Sequence, residues 1–75
     1  MQKAIEYIKE NYATDLNMAV VSNYISMNYS LFSFNFKQYT GTNFVNYLKN
    51  FRVGQAKKLL TETDMKVNEI SKAVG

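Results

Sequence analysis

Apolar side chains recur at helical spacing along almost the whole chain, and no proline interrupts them. Ala4, Ile5, Ile8 and Tyr12 follow an i, i+4 rhythm, with Lys3, Glu6, Lys9 and Glu10 mostly on the other side. That spacing predicts a first helix over about residues 2–12. The segment ATDLN breaks the pattern. Asn17 can then cap a short second helix striped by Met18, Val21 and Ile25, because an asparagine oxygen accepts a first-turn N–H. Asn28 can cap a third, with Phe32, Phe36 and Tyr39 or Thr40 facing inward and Gly41 as its stop. Asn43 can cap the longest helix, about residues 43–61, with a buried stripe of Phe44, Tyr47, Leu48, Phe51, Ala56, Leu59 and Leu60. The polar run TETDMK connects it to a fifth helix opened by Val67, Ile70 and Val74.

One segment, SLFSFNFK, also alternates with the period of a strand. Helix is the better reading, since the same residues keep helical spacing between a cap and a glycine stop. A lone strand would leave its backbone groups without partners. The expected class is all-α.

Composition narrows the chemistry. Seventy-five residues fix one small domain, and 47% apolar with 20% charged residues is ordinary globular composition. With no Cys and no His, disulfides, thiolate nucleophiles, the usual zinc sites and imidazole acid–base chemistry all drop out. The three glycines lie too far apart to cradle a phosphate. Glu6 and Glu10, at i, i+4 on a charged helix face, read as solvated rather than as a catalytic pair. No enzyme activity, cofactor or metal is expected. The N-terminal MQKAIEYIKE is amphipathic and charged, unlike a signal peptide, and no window approaches a membrane span, so the cytoplasm is the default location.

The net charge of +3 is unevenly placed. Residues 1–47 carry Lys3, Lys9 and Lys37 against Glu6, Glu10 and Asp15, which is neutral. The whole excess lies in residues 48–75, where Lys49, Arg52, Lys57, Lys58, Lys66 and Lys72 outnumber Glu62, Asp64 and Glu69. Such a balance suits nucleic acid without requiring it.

The second helix also repeats in the fifth. At an offset of 49, Met18, Val21, Ser22, Ile25 and Ser26 fall on Val67, Ile70, Ser71, Val74 and Gly75. Each copy has the pattern of the first helix of a helix-turn-helix: a small residue for close approach, then a small residue where the turn begins. In the first copy another helix follows at once; in the second the chain stops at Gly75. The helix between the copies, nineteen residues at about 1.5 Å each, would span about 28 Å, against about 34 Å between successive major-groove faces.

Together, Phe36-Lys37, Gly41, Phe44, Tyr47-Leu48, Arg52, Ala56, Leu59-Leu60, Ile70 and Gly75 resemble the DNA-binding domain of AraC/XylS-type transcriptional regulators over about residues 4–75. The resemblance implies a homeodomain-like bundle with a complete first helix-turn-helix (about 17–40), a linker helix (about 43–61) and the start of a second motif (about 67–75). By analogy about 25–30 further residues would close the second motif, so the apolar face of the fifth helix is expected to be uncovered. Double-stranded operator or promoter DNA is the implied partner, with RNA polymerase as a second contact. An effector or receiver domain is expected elsewhere in the full-length protein. The sequence departs from the family pattern at Ser22 (usually Ala), Ser26 (often Gly) and Asn28 (usually Ser). It departs again at Val20 and Asn46 (where Glu would complete a capping box), at Phe34 (often a polar reader) and at Asn35 (often apolar).

By resemblance the DNA-contacting positions are Asn28, Tyr29, Ser30, Leu31, Ser33, Phe34, Lys37, Thr42 and Asn43, with the helix spanning 29–39 in the major groove. Ser30, Ser33, Phe34 and Lys37 share one face at helical spacing if Phe32 and Phe36 face the core. Serines read base edges permissively, Phe34 can pack on a thymine methyl, and Lys37 can meet a phosphate or a guanine. Each has a second reading. Ser30 can serve the helix start, Phe34 can rotate into the core with Asn35 outside, and Lys37 can be a solvated charge. The starts of the third and fourth helices offer backbone N–H groups that suit phosphate, at Asn28 to Ser30 and at Thr42 and Asn43. Arg52, on the apolar stripe, is expected to pack its stem and pair with a carboxylate, with phosphate contact as the alternative role. The alternative function is a small protein-interaction module that binds through exposed Tyr24, Tyr29, Phe34 and Tyr39.

Overall fold

A computed structural model describes all residues, Met1–Gly75. Five helices and no strand follow in order: α1 (Gln2–Asn11), α2 (Met18–Tyr24), α3 (Tyr29–Thr40), α4 (Phe44–Glu62) and α5 (Val67–Val74). The SLFSFNFK segment is helical, inside α3.

The helix boundaries come from local chemistry. Asn17 Oδ1 accepts the Val20 N–H at 3.0 Å, and Asn43 Oδ1 accepts the Asn46 N–H at 2.8 Å. Asn28 Oδ1 accepts two, from Ser30 at 2.9 Å and Leu31 at 3.1 Å. Each satisfies donors that the first helical turn leaves unpaired. At α5 the work is done from the other side: Glu69 Oε1 accepts the Lys66 N–H at 2.9 Å, since a lysine ammonium has no acceptor to offer in return. Gly41 ends α3 in the left-handed region, φ 80°, with its N–H on the Lys37 carbonyl.

Between α2 and α3 the chain turns through Ser26, the one non-glycine residue with positive φ (57°). The Met27 N–H bonds to the Ser22 carbonyl and the Ser26 N–H to the Asn23 carbonyl, the two bonds of a Schellman termination. Ser22 is 2% exposed, and its hydroxyl donates to the Ala19 carbonyl at 3.1 Å, so a small polar residue fits beneath the turn without an unpaired group.

The main core is one cluster: Ala4 and Ile8 of α1, Leu16, Val21 of α2, Phe32 and Phe36 of α3, and Phe44 and Leu48 of α4. Phe36 is its hub. Its ring meets Phe32 and Phe44 at 5.5 Å and the edge of Tyr47 at 5.2 Å, in the tilted and edge-on arrangements that aromatic quadrupoles favour. α4 then runs beyond this cluster, which stretches the molecule to 41 × 21 × 16 Å. α5 packs back on α4 through Ile70 and Val74, both buried.

One expected core position, Leu60, faces water, and the end of α3 takes one of its two open alternatives. Tyr39 is exposed, and Thr40 takes the inner place, its hydroxyl bonded to the Phe36 carbonyl. Leu60 of α4 and Val67, the first residue of α5, are exposed. The uncovered apolar face expected for α5 is thus present at Val67 but not at Ile70 or Val74.

Replacing Ser26 by glycine should stabilise the fold by about 0.5–1 kcal/mol, since glycine adopts a left-handed conformation without the Cβ clash. Ser26→Val should destabilise it by at least as much. Urea denaturation followed by circular dichroism measures both.

Candidate nucleic-acid interface

α2, the turn and α3 form a helix-turn-helix whose second helix turns Phe32 and Phe36 inward and presents the opposite side to solvent. Phe34 is 63% exposed, so the alternative of Phe34 buried and Asn35 outside does not hold. Asn35 is half-buried, its amide directed toward Met27 Sδ at 3.9 Å. Ser30, Ser33 and Lys37 are exposed as the helical spacing requires. Ser30 leaves the capping of α3 to Asn28, which frees its hydroxyl. Tyr29 and Leu31, both about half exposed, flank this face.

The backbone donors are distributed differently from expectation. Asn28 already occupies the N–H groups of Ser30 and Leu31, so Tyr29 alone keeps a first-turn N–H without a partner in α3. At α4, Asn43 Oδ1 takes only the Asn46 N–H, leaving those of Phe44 and Val45 open. Thr42 is half-buried, in a small hydrogen-bonded turn with the Thr40 hydroxyl. The start of α4 therefore keeps more unpaired first-turn N–H groups than the start of α3.

Arg52 has a structural role, with a different partner from the one expected. Its Nε donates to the Tyr12 carbonyl at 2.7 Å and its Nη2 to the Thr14 carbonyl at 2.8 Å, and no carboxylate is involved. The planar fork matches two carbonyls on the α1–α2 loop, and the neighbouring Phe51 ring meets Tyr12 edge-on at 5.0 Å. Gly75, at φ 92°, sits against the same loop, so close that a Cβ there would lie 2.9 Å from the Ala13 carbonyl oxygen.

Between the helix-turn-helix and α5 lies an open cleft of about 790 Å³. Phe44, Leu48, Val53, Ile70 and Val74 form its apolar walls, with Tyr29, Ser33, Asn43 and Lys49 along its border. The sequence reading missed this cleft, because it arises from how α5 folds back on α4. The four aromatics of the protein-interaction reading are all exposed. They do not form one surface: Tyr24 stacks on Tyr7 at 4.2 Å, Tyr29 borders the cleft, and Tyr39 lines a separate hollow with Met1 and Met27. No group of acidic residues comes together in a way that could hold a metal ion, and no helix is long and apolar enough to cross a membrane.

A bundle of helices around a helix-turn-helix, with an exposed second helix, is the build of a DNA-binding domain. A family profile described as "Helix-turn-helix domain" matches residues 21–75. The regulatory protein PocR of Salmonella typhimurium is 29% identical over the whole chain, which spans 25% of that protein's length. The C-terminal domain of the two-component response regulator yesN from Fusobacterium nucleatum superposes with a TM-score of 0.93 at 31% identity, over 99% of this chain and 77% of that one. The chain belongs to the AraC-type helix-turn-helix family and is a DNA-binding domain of a transcription regulator.

Arg52→Ala should cost about 2 kcal/mol, since it leaves loop carbonyls without their charged donor. Arg52→Lys should recover less than half of that, because a single ammonium cannot reproduce the fork. Urea midpoints of the three proteins test the ordering.

Proposed function

We propose that this domain binds double-stranded DNA sequence-specifically, with α3 in the major groove and α4 carrying the start of a second motif toward the adjacent groove. The observation that carries the reading is the outward face of α3, where Ser30, Ser33, Phe34 and Lys37 are all exposed while Phe32 and Phe36 hold the opposite side in the core. A helix of this diameter fits the major groove, and these side chains are the ones that would reach base edges.

In this reading Ser30, Ser33 and Phe34 meet bases, and Lys37 meets a phosphate or a guanine near the helix end. Tyr29 and Leu31 border the groove, and Asn28 holds the first turn rigid as it meets the backbone. Thr42 and Asn43 bring the start of α4, with its open N–H groups, to a phosphate on the flanking strand. Residues 17–40 act as the first motif, 43–61 as the linker, and 67–75 as the beginning of the second. The likeness of Val21 to Ile70, both buried, and of Ser26 to Gly75, both left-handed, supports the repeat. An effector or receiver domain in the whole protein, and contact with RNA polymerase, belong to the same proposal.

Binding should be weak at physiological salt and should tighten as monovalent salt falls, because released counterions supply most of the free energy. Lys37→Ala should reduce the slope of log K against log salt by about one unit across all sequences. Fluorescence anisotropy on a randomised duplex pool checks this. A salt-independent signal, or one equal on every sequence, would contradict the reading.

A further inference from the structure

We infer that the centre of α3 selects its site through the 5-methyl group of a pyrimidine rather than through forked hydrogen bonds to a purine. The inference deepens the major-groove reading above and rests on it. Purine identity is ordinarily read by side chains that present two hydrogen-bonding atoms at once: Arg or Lys on guanine, Asn or Gln on adenine. The exposed face of α3 has Phe34 at its centre, with Ser30 one turn before it and Lys37 one turn after. A serine hydroxyl has no fork, so it accepts several base edges alike. Lys37 sits at the end of the face, where it can serve one guanine or a phosphate.

The amides that could read adenine are turned elsewhere. Asn28 Oδ1 is held by the Ser30 and Leu31 N–H groups. Asn35 is directed at Met27, and Asn35 and Gln38 both line the hollow beside Met1 and Tyr39. What remains at the centre is an aromatic ring, 63% exposed, with Leu31 beside it.

Among the base-edge groups of the major groove, one is apolar: the methyl on C5 of thymine. Against that methyl, Phe34 loses water on both sides at no cost in hydrogen bonds. Against guanine O6 or the cytosine amino group it would strip a polar atom of its partner. 5-Methylcytosine carries the same methyl at the same place, so the ring should accept it as well.

The test uses the 75-residue chain and the tightest duplex obtained by in vitro selection. Each thymine is replaced in turn by uracil, which removes the methyl and keeps the base pair, and affinity is read by anisotropy at low salt. At one or two positions the replacement should weaken binding about fourfold, the value of one buried methyl. At those positions a C·G pair should bind worse than T·A, and 5-methylcytosine should restore most of the loss. In Phe34→Ala, whose helicity is checked by circular dichroism, uracil and thymine should bind alike. Equal binding of uracil and thymine duplexes by the unaltered chain, with sequence preference intact, overturns the methyl inference and leaves the major-groove reading standing. Failure to select any duplex overturns both.

Discussion

The arrangement of the molecule depends on one side chain reaching back across forty residues of sequence. Arg52, on the third turn of α4, grips the carbonyls of Tyr12 and Thr14 in the loop that follows α1. Without it, the Tyr12 carbonyl would face the side of a helix unpaired, and the Thr14 carbonyl would keep only the Leu16 N–H, a costly arrangement wherever water is partly excluded. With it, the direction of α4 is tied to the first three helices at a second point, beyond the contacts of Phe44 and Leu48 in the core. A rod anchored at one point can pivot; one anchored at two holds its angle. Every feature downstream, including the placement of α5 and the width of the cleft, inherits that angle.

The rest of the stability is spread thinly, as expected for so short a chain. Phe36 and its ring neighbours fill the space between α3 and α4, while Ala4 and Ile8 close the other side. Because the apolar interior is small, the polar ends of the helices carry an unusual share of the specification. Three asparagines start three consecutive helices, and each does so with an acceptor that reaches only its own first turn. The helix-turn-helix therefore holds its shape partly by chemistry that does not depend on the core.

That division explains what could be read from the residues alone. Helix starts at Asn17, Asn28 and Asn43, the stop at Gly41 and the left-handed turn at Ser26 are all decided within about four residues, so the sequence displays them directly. The inward side of α3 was legible at Phe32 and Phe36 but not at its end. Whether Tyr39 or Thr40 turns inward depends on what α1 and α4 leave open. Leu60 and Val67 fit the period of their helices yet are exposed, since periodicity cannot give the width of a contact. Arg52 was legible as structural, but its partner was not, since a loop carbonyl has no signature in the one-letter code. The outward face of α3 followed from spacing. The supply of free N–H groups did not, because it turned on Asn28 accepting two bonds where Asn17 and Asn43 accept one.

Gly75 adds a consequence of its own. The two halves of the molecule meet where its α-carbon lies against the backbone of Ala13, with no room for a methyl group. The neighbour is main chain, so it cannot swing aside as a flexible side chain would. Any other residue at this place would act as a shim, tilting α5 about the α1–α2 loop and changing the phase between the two ends of the molecule around a common axis. The angle between the two ends of the domain is thus set by a hydrogen atom where every other amino acid has carbon.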